Sequence, residues 1–447
     1  MSIGTTKPAK RPFHVMAKAI GPKCNLDCQY CFYLEKEALF AKSERYRMPE
    51  DLLEQYIANY IDSQPTELVS FAWQGGEPTL LGVPYFQRIV ELQKKHAQGK
   101  RIENALQTNG TLLDDRWGAF LADNDFLVGV SIDGPEDLHN SYRVKRNGTG
   151  SFKEVLRGIR VLQKHGVQWN SLTCVNAVNS KLPLKVYKAL KGIGAKHMQF
   201  IPIVERRPND AAQKLGLDLS TPPDLEQSEG DPDMMPWSVQ ARDYGNFLTT
   251  IFDTWIRKDV GKIFIQIFEV SFAKWIGQPG GLCIFSESCG DAVALEHDGS
   301  IYSCDHYVYP EFKIGNVRDT PLSEMLNSEK QRKFGKDKSD TLPKKCLQCA
   351  YISACNGGCP KHRSATTKEG ESGLNYLCDG YYRFFSHADP YFRTMSELYH
   401  RRQSPAAIME ILKKAGTRLD TQTLTALVLK TRKTSIPDFN ESSSIAS

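Results

Sequence analysis

Cys24, Cys28 and Cys31, spaced C-x3-C-x2-C in CNLDCQYC, constrain this chain more tightly than any other feature. They follow directly on an apolar, β-branched run at 14–20 that reads as a strand, which puts three thiols on a loop at a strand's carboxyl end. In alternating β/α folds that end carries the chemistry. Three thiolates can grip three irons of a 4Fe-4S cube and leave the fourth iron without a protein ligand. A zinc site and buried unligated thiols are the other readings. Structural zinc ordinarily takes four protein ligands, and no fourth is evident nearby.

The rest of the cysteine count points the same way. Of twelve cysteines in 447 residues, eight lie between 283 and 378. The chain has no charge-free apolar stretch of roughly 20 residues, and its start lacks the long apolar region and small-residue cleavage site of a secretory signal. A cytoplasmic protein without membrane attachment is therefore expected, and reducing compartments favour metal ligation over disulfides. The net charge of +5 is spread thinly; KTRK near the end is only weakly suggestive, and nucleic acid is not an expected partner.

A length of 447 residues implies two domains, or one large barrel with an appendage. From 14 to 204 short apolar runs alternate with amphipathic stretches. Strands are predicted at 14–20, 68–73, 102–108, 127–132, 170–176 and 197–204, with helices at 49–61, 84–96, 114–122, 152–165 and 183–190. Parallel strands with helical crossovers follow, an α/β fold of partial (β/α)6 barrel type over 12–205. The acidic, Pro-rich stretch 206–236 reads as a surface insertion at the barrel mouth, with gating of substrate entry a lesser possibility. A connecting helix and strand are expected over 237–280, a small cysteine-rich metal-organised domain over 281–388, and a helical extension with a frayed polar tail over 389–447; a helix is predicted at 420–430.

Polar residues gather at the predicted strand ends. Gln74-Gly75-Gly76-Glu77-Pro78 follows the second strand, where two glycines allow close backbone approach and Glu77 adds an acceptor. A plain turn is the alternative. Gln107, Thr108 and Asn109 end the third strand and are expected to face substrate. Ser131 ends the fourth, and Arg143 lies in the loop beyond it; a hydroxyl and a guanidinium suit a ribose and a carboxylate. Cys174, inside the fifth strand, reads as a small buried hydrophobe. Among the C-terminal cysteines, Cys346 and Cys349 alone could be half a zinc ribbon, but Cys283, Cys289, Cys304, Cys346, Cys349, Cys355, Cys359 and Cys378 together suffice for two closed clusters.

On these motifs the chain resembles the radical S-adenosylmethionine (SAM) superfamily. The resemblance implies that Cys24, Cys28 and Cys31 hold a SAM-cleaving 4Fe-4S cluster, that Tyr30 packs against SAM, and that Gln74, Gly76 and Glu77 belong to the motif binding its amino group. It further implies that Ser131 and Arg143 bind its ribose and carboxylate and that Val204 flanks its adenine. CLQCAYISACNGGCP, with single cysteines before and after it, resembles the SPASM extension, which carries two auxiliary 4Fe-4S clusters. By that resemblance Cys283, Cys289, Cys304 and Cys359 bind the inner cluster and Cys346, Cys349, Cys355 and Cys378 the outer one; spacing alone permits many divisions.

The segments AKAIGPKCNLDCQYCFYLEKE, FAWQGGEPTL, LQTNGTLLD, LVGVSIDGPEDLHNSYR and GSIYSCDHYV extend the likeness to the anaerobic sulfatase-maturating enzymes. Members oxidise a cysteine or serine of an unfolded sulfatase polypeptide to formylglycine. The family then implies a 5'-deoxyadenosyl radical taking the β-hydrogen, electron transfer to the auxiliary clusters, and Asp305 as the base, with His306 an adjacent alternative and Tyr33 a contact to the target residue. A low-potential donor of flavodoxin or ferredoxin type and a monomeric state are also implied. Two other readings remain: a SPASM enzyme that crosslinks ribosomal peptides, and a non-catalytic iron-sulfur carrier or scaffold.

Overall fold

The computed structural model describes residues 7–41, 46–223 and 232–415. Ten strands form one sheet in the order β10-β9-β8-β1-β2-β3-β4-β5-β6-β7. They are β1 His14–Lys18, β2 Leu68–Trp73, β3 Arg101–Thr108, β4 Leu127–Ser131, β5 Trp169–Val175, β6 His197–Pro202, β7 Phe264–Ile265, β8 Ala292–Glu296, β9 Ser300–Tyr302 and β10 Lys313–Asn316. Strands β1 to β7 pair in parallel, each with the next. The first six are the barrel strands expected from sequence, within a residue at their starts and one to two residues shorter at most of their ends.

Parallel neighbours need a crossover, and five helices supply it: α1 Glu50–Ser63, α2 Val83–His96, α3 Asp115–Asp123, α4 Phe152–Lys164 and α5 Pro183–Gly192. Local chemistry sets their starts. The Asp114 carboxylate accepts from the Arg116 and Trp117 amides at the head of α3, while Pro84 and Pro183 occupy first-turn positions where no amide donor is missed. Helix faces and strands meet in an aromatic core: Phe71 and Trp73 stack at 5.8 Å, with Tyr56 and Tyr60 edge-on to Phe71. On β2 and β3 the alternate residues Ser70, Ala72, Glu103, Ala105 and Gln107 stay partly accessible, which leaves one sheet face for polar side chains.

The cysteine-rich region is not a separate layer. Strand β8 pairs in parallel with β1 along its full length, from His14↔Ala292 to Lys18↔Glu296, and β9 and β10 extend it antiparallel. The loop after β9, with Cys304 and Asp305, thereby lies on the same sheet as the Cys24–Cys31 loop. Residue 388, the expected end of that region, falls inside a continuous helix, Cys378–His400. That helix packs on Ala241–Lys258 at a glycine crossing, where a Cβ on Gly380 would stand 2.3 Å from the Ala241 carbonyl oxygen. Phe252 adds ring contacts with Phe384, Tyr391 and Phe392, each worth about 1 kcal/mol beyond area burial. Continuous backbone and shared core explain why no boundary occurs there.

The described flanks of the 206–236 insertion are packed, not free. Arg206 pairs with Met234 in a β-bridge, a short helix Asp210–Lys214 is capped by Asn209, and Ala212 and Leu217 are buried with Tyr309. The Glu35 carboxylate accepts from the Asp218 and Leu219 amides at 2.8 Å, tying the insertion to the segment after the first cysteines. The helix expected at 420–430 lies outside the described residues.

Candidate active site and iron-sulfur ligands

The first cysteine loop is held from two sides. Asp27 and Gln29 amides donate to Val144 and Tyr142 carbonyls, and Arg146 donates to the Cys24 carbonyl at 3.0 Å. On the other side the Gly76 and Glu77 amides donate to the Gly21 and Lys23 carbonyls at 2.8 and 2.9 Å. Gly76 is required there, because a Cβ would sit 2.0 Å from the Lys23 oxygen. The GG of QGGEP is thus the platform under the cluster loop.

Burial pushes the thiols of this loop up, Cys24 to about 12, with Glu77 and Cys31 adding to it. Cys28 and Cys31 rise for the same reason, and Arg143 pulls both back. Three half-buried thiols that resist ionisation and sit beside one another suit a cationic iron-sulfur group, whose charge stabilises their thiolates. All twelve cysteines are free. Among the described residues no group of three or more His, Cys, Asp or Glu side chains is arranged to hold a single metal ion.

The eight C-terminal cysteines fall into two neighbourhoods. Burial raises Cys304 well above an ordinary thiol, and Cys283, Cys359 and Cys289 raise it further. Burial raises Cys355 to about 12, with Cys378, Cys346 and Cys349 adding to it. The sets Cys283/Cys289/Cys304/Cys359 and Cys346/Cys349/Cys355/Cys378 are those implied by the SPASM resemblance.

Tyr30 lies within the first loop, and Ser131, Arg143 and Val204 stand at the ends of their strands or in the loops beyond, but several of these have partners within the chain. Tyr30 donates its hydroxyl to Asp133, which also accepts from Arg143 Nε at 3.0 Å and from the Cys174 amide at 2.9 Å. Burial opposes the Arg143 charge, and Asp133 holds it protonated. Ser131 Oγ accepts from Gln107 at 3.2 Å. Asp133, fully buried, organises this corner; it sits in SIDGP two residues past Ser131, but nothing in a single sequence marks it as a hub.

Four expectations need correction. Glu77 does not offer a free acceptor to SAM. Its buried carboxylate accepts from Thr79 N and Oγ1, Thr108 Oγ1 and the Asn109 amide, the last two at 2.7 Å, so it ties the ends of β2 and β3 together. Thr108 and Asn109 accordingly face Glu77 and the cluster loop, where Asn109 Nδ2 donates to Asn25 Oδ1 at 2.8 Å. Tyr33 is 3% exposed and donates to the Glu296 carboxylate at 2.7 Å, so its hydroxyl is spent on the scaffold. Cys174 is partly accessible, with its sulfur 3.4 Å from Arg143 Nη2, and is not a buried hydrophobe.

Beside the inner cysteine set lies a cluster of paired charges that sequence reasoning largely missed. Lys18, the last residue of β1, forms an ion pair with Asp305, and its ammonium stands 3.5 Å over the Tyr33 ring. Burial works to raise the Asp305 carboxyl, but Lys18 and, further off, Lys361 hold it below the usual carboxylate range. Lys361 pairs with Glu205 and lies 4.6 Å from the Phe32 ring centroid. His306 contacts Cys359 Sγ at 3.6 Å; burial pushes its imidazole down to about 3, so it stays neutral. Burial likewise pulls Lys36 down to about 8 against the pull of Glu35. A lysine ending a β-strand is the only sequence signal Lys18 carries.

Comparison with known proteins agrees with this geometry. The Radical SAM superfamily pattern matches residues 19–185, and the SPASM iron-sulfur cluster-binding domain matches 283–350. The chain is 44% identical over 420 residues to a serine-type anaerobic sulfatase-maturating enzyme of Bacteroides thetaiotaomicron, covering 94% of this chain and 100% of that one. A cysteine-type enzyme of Clostridium perfringens is 31% identical over 85% of this chain and 97% of its own. The solved structure of native anSMEcpe with bound AdoMet and Cp18Cys peptide superposes with a TM-score of 0.74 at 30% identity, covering 87% of this chain and 99% of that one. Streptococcus suis SuiB, at 13% identity over 82% of this chain and 77% of its own, with a TM-score of 0.53, shares the fold alone. This chain belongs to the anaerobic sulfatase-maturating enzymes, radical SAM proteins that carry a SPASM extension.

Proposed function

We propose that this enzyme oxidises the target residue of a sulfatase polypeptide to formylglycine, and that serine is its preferred target. The observation that carries the reading is Asp305: a half-buried carboxylate kept ionised by Lys18 and joined directly to Cys304 of the inner thiol set. The higher identity to the serine-type relative, 44% against 31% for the cysteine-type one, supports the serine preference.

Cys24, Cys28 and Cys31 hold the SAM-binding cluster, and the two C-terminal sets hold the auxiliary clusters. When bound, these groups supply a 5'-deoxyadenosyl radical that takes a hydrogen atom from the substrate β-carbon and a sink for the electron the carbon radical gives up. The chain's own residues do the rest. Asp305 accepts the hydroxyl or thiol proton as the carbon-heteroatom double bond forms, and Lys18 fixes the carboxylate's position and charge. Tyr30, Asp133 and Arg143 brace the SAM side of the site, while Gly76 and Glu77 hold the cluster loop. His306, buried beside Cys359, stays neutral.

An unfolded polypeptide presented in the cytoplasm, a monomeric enzyme and a flavodoxin- or ferredoxin-type reductant complete the proposal. No helix among the described residues is long and apolar enough to cross a membrane. Anaerobic incubation of the reconstituted protein with SAM, dithionite and matched serine and cysteine peptides tests it by mass spectrometry. Loss of two hydrogens from the serine peptide, faster than the combined loss of two hydrogens and replacement of sulfur by oxygen in the cysteine peptide, is expected. A crosslinked product that keeps its sulfur would overturn the reading.

A further inference from the structure

Two cations are buried completely beside the auxiliary thiols, and the reaction described so far uses neither. Lys338 and Arg363 are both 0% exposed. Lys338 lies on a helix, Glu329–Asp340, that is jammed against the inner ligand loops. The Cys289 amide donates to the Gly335 carbonyl at 3.1 Å, a Cβ on Gly335 would stand 2.6 Å from the Cys289 oxygen, and Gln331 donates to the Gly290 and Ser303 carbonyls. One turn on, Lys338 Nζ donates to the carbonyls of Cys283 at 2.6 Å, Ile284 at 3.0 Å and Ser286. Arg363 donates to Gly357 and Asn356 carbonyls, in the stretch between outer ligand Cys355 and inner ligand Cys359, and to the Lys338 carbonyl at 2.6 Å.

These bonds spend the donors on backbone dipoles; among the described residues neither cation makes an ion pair with a carboxylate. A buried charge left so is costly unless a counter-charge stands near. The charged neighbours are the thiols. Burial pulls the Lys338 ammonium down, and Cys289, Cys359 and Cys283 push it back up. Burial also pulls Arg363 down, against Cys346 of the outer set and Cys289 and Cys359 of the inner one. Lys338 thus belongs to the inner set, and Arg363 stands between the two.

We propose that Lys338 is a redox-positioning residue of the inner auxiliary site, and that Arg363 does the same between inner and outer sites: each holds a fixed positive charge that favours the electron-loaded state. The inference rests on the oxidation described above. After hydrogen abstraction the substrate radical R–C•H–OH becomes R–CHO by losing one proton, to Asp305, and one electron, to the four-thiolate inner site, whose net negative charge rises by one. An external one-electron carrier finally takes that electron through the outer site. Net charge and buried dipoles set iron-sulfur potentials, so a cation in low-dielectric surroundings lowers the cost of the added charge. Without it the radical intermediate would wait longer for its electron to leave.

The test is a potentiometric titration, followed by electron paramagnetic resonance, of the anaerobically reconstituted holoenzyme without peptide. Lys338→Met is expected to lower the inner midpoint enough to change the reduced-to-oxidised ratio at least tenfold, about 59 mV for a one-electron couple. The SAM-binding couple should not move, and Lys338→Arg should restore the wild-type midpoint. With peptide, Lys338→Met should release more 5'-deoxyadenosine per formylglycine. An unchanged inner midpoint in fully loaded Lys338→Met overturns the proposal. Should Lys338→Met fail to load the inner cluster, loading of Lys338→Arg supports charge compensation, whereas equal failure of Lys338→Arg overturns it, because shape and not charge is then what the site needs. A shifted midpoint without any formylglycine would fault the oxidation reading and leave this one standing.

Discussion

Lys18 and Asp305 form an ion pair across 287 positions of sequence, their side chains 3% and 18% exposed. The pair exists because β8 lies beside β1 in parallel register and β9 pairs with β8, which brings the loop after β9 within reach of the Lys18 side chain. A carboxylate next to Cys304 is thereby held by a cation from the radical SAM barrel.

Asp305→Asn keeps the side chain's shape and removes its basicity. Formylglycine formation should fall by roughly 10²-fold or more, the scale of a lost general base, while cluster loading and 5'-deoxyadenosine release persist. Oxidation at the wild-type rate would remove Asp305 from the mechanism. Breaking the pair from the other end differs: Lys18→Met strands a buried carboxylate and should cost about 3–5 kcal/mol in stability. The double variant Lys18→Met/Asp305→Asn should recover part of it, which anaerobic unfolding curves can read as a coupling energy.

Glu77→Ala should act first on stability. Its carboxylate accepts from Thr79, Thr108 and Asn109 in a buried site, and bonds to a charged acceptor are worth about 1.5–3 kcal/mol each. A loss of several kcal/mol is expected in thermal unfolding, with Glu77→Gln milder. If Glu77→Ala unfolds like wild type and only weakens SAM binding, the bracing role assigned here is wrong.

Gly76→Ala should cost one cluster's worth of iron. The added methyl meets the Lys23 carbonyl at 2.0 Å, and that carbonyl immediately precedes Cys24. Backbone on backbone cannot yield as a side-chain tip can. Iron analysis should show the auxiliary sites filled and SAM cleavage abolished; full loading with normal cleavage would refute the platform.

His139 gives the chain a pH dependence of known sign. Its Nδ1 accepts from the Asp133 amide and its Nε2 lies 3.0 Å from Ser151 Oγ, an arrangement that needs the neutral ring. Burial, opposed by Asp133, pushes its pKa down to about 4. The unfolded chain, with a histidine pKa near ~6.5, binds more protons between these values. The native state therefore keeps its full stability above about pH 6.5 and loses it progressively as pH falls towards 4, by at most about 3 kcal/mol. Melting temperatures measured from pH 7.5 to 5 should decline less steeply in His139→Gln than in wild type; parallel slopes would exclude His139 as the source.

What the sequence determined by itself was chemistry written in local spacing. Cys24, Cys28 and Cys31 announce their ligand role because a cluster loop is short, and the six barrel strands announce themselves because a parallel strand is a local apolar run. What only the tertiary structure decided was every relation that depends on which strands lie side by side. The union of β8 with β1, the pairing of Lys18 with Asp305, the division of eight thiols into two sets, and the turning of Glu77 inward all join residues far apart in sequence. Such contacts leave no periodic trace, because a buried charge looks like any other lysine or glutamate until its partner is brought to it.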